Sequence, residues 1–217
     1  MPPRLFTLAL LAAAIAVPAV APAFGQDVGG VSSSALSRCA GRVGLDTRQS
    51  DAAFGVIALD GMPWVTIERT EESVGTQPIS TTVTGTGEYR RRNGTSVPFR
   101  FTCVLDAKGQ ALMFHANPLI RRLGDVLPPA IVIEGRATSA GKTVLPRGVE
   151  LRVQLLDVAK SPDEILAEQV VRSGWQVPIP FALRLPKETS FEGRRLVVAA
   201  RMVLAHQVLF ELRQPQP

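Results

Sequence analysis

The sequence predicts a mainly β protein: an N-terminal α+β module, one helix on an antiparallel sheet, followed by a small antiparallel β-sandwich. Three observations carry this. Between Val149 and Leu155 apolar and polar residues alternate strictly, with Val149, Leu151, Val153 and Leu155 on one face and Glu150, Arg152 and Gln154 on the other. Successive strand side chains point to opposite faces, so such a run is a strand half buried against a core. Asn93-Gly94 sits between two β-prone runs and is the strongest hairpin signal in the chain. A single segment near the N-terminus, with apolar Ala35, Leu36, Cys39, Ala40 and Val43, has helical spacing instead.

Taken in order, the chain of 217 residues opens on a secretory signal. Met1 to Arg4 is a short basic region and Leu5 to Val20 an apolar run. Ala23-Phe24-Gly25 places small residues where signal peptidase reads, so cleavage is expected before Gln26. The alternative, a membrane anchor, needs a longer run than this one, which Pro18 and Pro22 interrupt. Removing Arg4 with that segment lowers the net charge from +5 to +4. The mature protein is expected in the periplasm.

Residues 26–125 form the first module. One of Ser32, Ser33 or Ser34 is expected to cap the helix, which ends near Gly44. Phe54 to Leu59 and Trp64 to Arg69 read as strands, joined by a hairpin turn at Asp60-Gly61. Ser80 to Arg92 and Ser96 to Leu105 flank Asn93-Gly94, and Ala111 to His115 follows the turn at Asp106 to Gln110. The lone Gly85-Thr86-Gly87 reads as a bulge. Cys103 shares a strand face with Phe99, Phe101 and Leu105, while Cys39 lies on the helical stripe. Both thiols point inward, and export favours oxidation, so a Cys39–Cys103 disulfide is expected over two buried free thiols.

Asn117-Pro118 and Leu127-Pro128-Pro129 break the periodicity, which puts the domain boundary between 117 and 129 and makes 126–217 the second module. Its strands are expected from Ile131, at Val149 to Leu155, Ile165 to Val171 and Ile179 to Leu185, and at Leu196 to Leu204. The last has apolar residues on both faces apart from Arg201, as a central strand would.

No constellation points to an enzyme. The two histidines, His115 and His206, lie far apart, and no serine sits in a nucleophile-elbow pattern. Gly141-Lys142-Thr143 resembles the end of a phosphate loop, but Arg136 occupies the position of its first glycine. No cofactor and no metal are expected. Basic residues are dispersed without interleaved aromatics, which argues against nucleic acid. Two features are candidates for binding. Arg90-Arg91-Arg92 could meet a partner or simply guard a strand end against aggregation. Trp175, in a turn beside Gly174, and Trp64 could each stack on a sugar ring if exposed.

Leu145-Pro-Arg-Gly148, Leu-Leu-Asp-Val at 155–158, Ile-Leu-Ala-Glu at 165–168, Gln176-Val-Pro178 and Phe181-Ala-Leu183 resemble the YbaY/YscW-like family of envelope proteins. That family includes pilotin-type chaperones of type III secretion. The resemblance spans about Ile131 to Leu212 and implies a non-enzymatic, chaperone-like protein that binds another envelope or secretion-system protein. A glycan-, lipid- or enzyme-binding module is the alternative. Three departures stand out. Val197 and Val198 stand where an aromatic is expected. Cys39 follows Leu-Ser-Arg rather than a small residue, so it is no lipid-attachment site, although many family members are lipoproteins. The chain also stops soon after Phe210, so the closing strand is expected to be short or missing, leaving an open sheet edge.

Overall fold

The computed structural model describes residues 30–50, 54–91, 93–120, 124–138, 144–146, 148–173, 177–204 and 207–215. The signal segment, Arg92, Trp175, His206 and the Gly141-Lys142-Thr143 stretch lie outside them. The fold class is the expected one, a mainly β chain with one helix and antiparallel sheets.

Helix α1 spans Gly30–Ser50 and is longer than expected at both ends. Ser33 lies inside it, and its hydroxyl donates to the buried Glu168 carboxylate instead of capping the first turn. The strands follow as β1 (Phe54–Asp60), β2 (Val65–Val74), β3 (Gln77–Arg91), β4 (Ser96–Leu105), β5 (Ala111–Pro118), β6 (Ala130–Ala137), β7 (Glu150–Asp157), β8 (Glu164–Ser173), β9 (Ile179–Pro186), β10 (Leu196–Leu204) and β11 (Gln207–Pro215). Nine of them form one antiparallel sheet in the order β11-β10-β7-β8-β1-β3-β4-β5, with β2 also on β3, and β6 and β9 form a separate ribbon.

The large sheet crosses the Pro-rich break without interruption, because β1 pairs with β8 from Val56 opposite Ser173 to Asp60 opposite Gln169. Alternation along β1 explains how one strand serves both halves. Ile57 and Leu59 enter a core with α1, Val83, Phe99, Phe101 and Cys103. Val56 and Ala58 point the other way, into a core with Leu151, Val153, Leu155, Ile179, Leu183 and Leu185. One sheet face is thus covered by α1 and the other by the β6–β9 ribbon, each over its own core.

Two turns and one glycine pair inside β3 decide the path. Gly94 takes a positive φ of 84° in the β3–β4 hairpin, where Arg91 N–H donates to Thr95 O at 2.9 Å. The Asn93-Gly94 expectation therefore holds. Asp60-Gly61, by contrast, is no hairpin. β1 and β2 do not pair with each other; both pair antiparallel with the 15-residue β3, one after the other along its edge. Gly61 N–H donates to Glu168 O at 2.8 Å and a Cβ there would meet the Glu168 side chain at 2.7 Å, so the glycine lets the chain kink against β8. Gly85-Thr86-Gly87 is no bulge either, since β3 and β4 stay in one register throughout. Those glycines lie under the Phe101 and Phe99 rings. The closing strand is present: β11 pairs with β10 from Val197 opposite Pro215 to Leu204 opposite Gln207.

The disulfide joins Cys39 of α1 to Cys103 of β4, with Cα atoms 6.0 Å apart.

Candidate protein-binding edge

Sheet order leaves β11 and β5 as the two ends of the main path, with β2, paired only to β3, as a third edge strand. An end strand presents backbone N–H and C=O groups with no ladder partner on its outer side. The two ends differ chemically. On β11, Val208 is 51%, Phe210 45% and Leu212 58% exposed. On β5 only Met113 is a large exposed hydrophobic among the described residues.

Register explains why β11 keeps these side chains in water. Phe210 lies opposite Met202 and Leu212 opposite Ala200, so both belong to the face that carries the ribbon-side core. The ribbon lies over β7 and β8, while Phe210 and Leu212 on β11 stay exposed. Leu209, at the register shift beside Met202 and Val203, is taken into that core instead. Phe210 and Leu212 thus extend the core as an uncovered apolar step. Taking such a side chain from full exposure to full burial is worth about 1.5–3 kcal/mol, and since each is already about half buried a partner strand gains part of that as well as ladder bonds.

The opposite face of β11 is charged. Glu211 lies 3.9 Å from Arg201, its cross-strand partner, and Arg213 forms an ion pair with Asp163. Exposed pairs of this kind contribute about 0–1 kcal/mol, so they favour a register more than they add affinity. The neighbouring β7–β8 turn is tied down from the side. Arg194 reaches Asp157 at 3.3 Å and Glu164 at 3.0 Å, and Arg195 N–H donates to Asp157. The backbone N–H of Ala159, aided by those partners, holds the Asp157 carboxyl below its usual range. Lys160, ahead of Arg194, holds Glu164 low in the same way.

A second polar cluster locks the ribbon onto the sheet. Asp60 accepts from Thr86 at 2.7 Å and Gln169 at 3.1 Å, and Arg184 of β9 pairs with it at 3.4 Å. Arg184 also donates to Pro128 O at 2.8 Å, while Gln169 accepts from Ala182 N–H at 2.9 Å. Burial pushes the Asp60 carboxyl above its ordinary value despite those partners. The cluster is sealed by protein on all these sides and is a joint between layers.

The sequence-derived candidates lie elsewhere. Arg90 pairs with Glu88 at 2.9 Å and sits opposite Val56 of β1, so β1 covers that side of the strand. Arg91 is exposed at the strand end, and Arg92 and Trp175 fall outside the described residues. Trp64 donates from Nε1 to Arg184 O at 2.8 Å, and the Arg184 guanidinium stands 5.0 Å over its ring. One face of that indole is therefore taken. His115 is exposed beside Asn117 at 2.9 Å. Among the described residues no three His, Cys, Asp or Glu side chains converge as a metal site would require. No described helix is long and apolar enough to cross a membrane. Sequence reading missed the apolar step itself. Its signal was Val208-x-Phe210-x-Leu212 in a tail too short for its pairing to be foreseen.

Fold and edge together define a two-core antiparallel β protein whose C-terminal sandwich ends in an open apolar strand. Residues 128–217, under half of the chain, match the family model YscW, described as type III secretion system lipoprotein chaperone. The resemblance carried by Leu145 to Leu185 is thus borne out, and it covers the strands from β6 to β11. No curated protein and no solved structure matches the chain.

Proposed function

We propose that the protein is a non-enzymatic, chaperone-like component of the cell envelope that holds an extended segment of another secretion or envelope protein along β11. The observation that carries this reading is the open β11 edge with its exposed Phe210 and Leu212, lying inside the region that matches the chaperone family. Strand addition suits it: ladder bonds give affinity for any extended chain, and the apolar step selects segments with apolar residues at every second position. A periplasmic location is supported by the signal-like start and by the Cys39–Cys103 disulfide, which belongs to an oxidising compartment. With both cysteines bonded to each other, neither serves as an acyl acceptor, so we read the protein as unlipidated. The rival glycan-binding reading gains nothing from Trp64, whose ring is partly capped by Arg184.

Photo-crosslinking in the exporting cell tests the function. A photoreactive residue at Val208 is expected to capture a secretion or envelope protein that the same group at Met113 on β5 does not. Phe210→Asp in the Val208 background is expected to abolish the adduct. Identical adducts from both edges, or a Val208 adduct indifferent to Phe210→Asp, would count against β11 as the docking strand.

A further inference from the structure

We propose that an unoccupied β11 pairs with β11 of a second copy, antiparallel and centred on Leu212. The inference rests on the edge proposed above as the client site and makes self-pairing its resting state. A neighbour strand added antiparallel by a two-fold axis keeps each residue on the same face as the residue opposite. The possible registers are therefore those centred on a residue. Centring on Glu211 sets two carboxylates against each other, and centring on Arg213 sets two guanidinium groups against each other. Like charges directly opposite are destabilising. Centring on Phe210 draws the irregular stretch around Val208 into the ladder, where the β10–β11 register shifts.

Centring on Leu212 avoids all three faults. Glu211 then lies opposite Arg213 of the second copy, which shares its guanidinium between Glu211 and its own Asp163, and symmetry makes the pair twice. On the other face Leu212 meets its counterpart, so the side chain that is 58% exposed in the monomer is covered by its own copy. Phe210 extends the same apolar strip. The run from Phe210 to Gln214, regular against β10, is the part that pairs, with Phe210 opposite Gln214 of the second copy. Each Glu211 then has a cation on both sides, Arg201 of its own chain at 3.9 Å and Arg213 of the other. The β5 edge, Ala-Leu-Met-Phe-His-Ala-Asn-Pro, carries no acid or permanent cation with which to set a register.

Sedimentation of the exported protein over a concentration series, without client, tests this. A reversible monomer–dimer equilibrium is expected. Glu211→Arg and Arg213→Glu each replace two attractive pairs with two repulsive ones and are expected to weaken the dimer roughly tenfold. Mixing the two variants in equal amounts is expected to restore a heterodimer, because every opposed pair is then attractive. Effects within one chain are the same alone and mixed, and melting curves confirm that each variant is folded. Leu212→Lys, on the axis, is expected to leave monomer only. A wild-type monomer at every concentration would overturn the proposal, and so would a mixture no tighter than either variant alone. A monomer that still crosslinks to a client through Val208 would overturn the self-pairing and leave the proposed function intact, so the two fail separately.

Discussion

Gly87 carries no side chain because there is no room for one: a Cβ would meet Ala58 O at 2.6 Å and the Phe99 ring at 2.7 Å. Gly87→Ala is therefore expected to cost about 1–3 kcal/mol, read as a lowered urea midpoint, from overpacking rather than from backbone strain. Asp60 makes a prediction of its own. Its carboxyl is held above the ordinary value by burial, so in the acid range the folded state binds more protons than the unfolded state. Stability from this group is fully present below the unfolded value and is lost as pH rises through the folded one. Asp157 has the opposite sign, since a depressed carboxyl loses its contribution as pH falls. Subtracting the pH profile of Asp60→Asn from that of the wild type isolates the first effect, and a difference that falls as pH rises is expected. Neither residue's role was legible in the sequence. The glycines of Gly85-Thr86-Gly87 resemble a bulge until Phe99 and Phe101 are known to lie across from them, and Asp60 resembles a turn residue until β8 is known to be its neighbour.

At the scale of elements, apolar patterning was enough to find most strands, and Leu196–Leu204 and Ser96–Leu105 fall where it placed them, whereas β11 was expected to be short or missing. Partners were not legible, because an alternating strand states which faces it has and not what lies beside it. β1 is the clearest case. Its two apolar faces feed two cores, and its neighbours are β3 and β8 rather than the next strand in sequence. The disulfide was legible because a helical stripe and a strand face both aim a thiol inward. It closes a loop with a sequence separation of 64 and fixes α1 over the first core. In the chain-entropy account such a loop contributes about 4 kcal/mol. Reductant, or Cys39→Ser with Cys103→Ser, is expected to lower the unfolding free energy by that order, and intact mass after alkylation shows whether both thiols were bonded. An unchanged denaturation curve would mean that α1 is held by its apolar stripe and by noncovalent contacts such as Ser33–Glu168, Ser37–Glu150 and Arg38–Lys108 O, without help from the disulfide.

At the scale of the whole molecule, two cores share one sheet. We propose that the division at 126 separates cores and leaves the sheet undivided. A fragment starting at Ala130 loses β1 and bares the β8 edge from Gln169 to Ser173, and with it Val56 and Ala58 from the ribbon-side core. Urea denaturation of that fragment is expected to show a lower midpoint than the full chain, with aggregation through the bared edge. A fragment as stable and soluble as the parent would make the β1–β8 pairing dispensable. The Pro-rich break at 127–129 announced a boundary in the chain but could not announce that strands on either side of it pair. The central claim is that β11 is where a client docks, and backbone hydrogen exchange tests it most directly. With the client identified through Val208, and with protein dilute enough to be monomeric, exchange along Gln207–Pro215 is expected to slow on binding while Ala111–Pro118 is unchanged. Slowed exchange along β5 or β6 with none at β11 would contradict it.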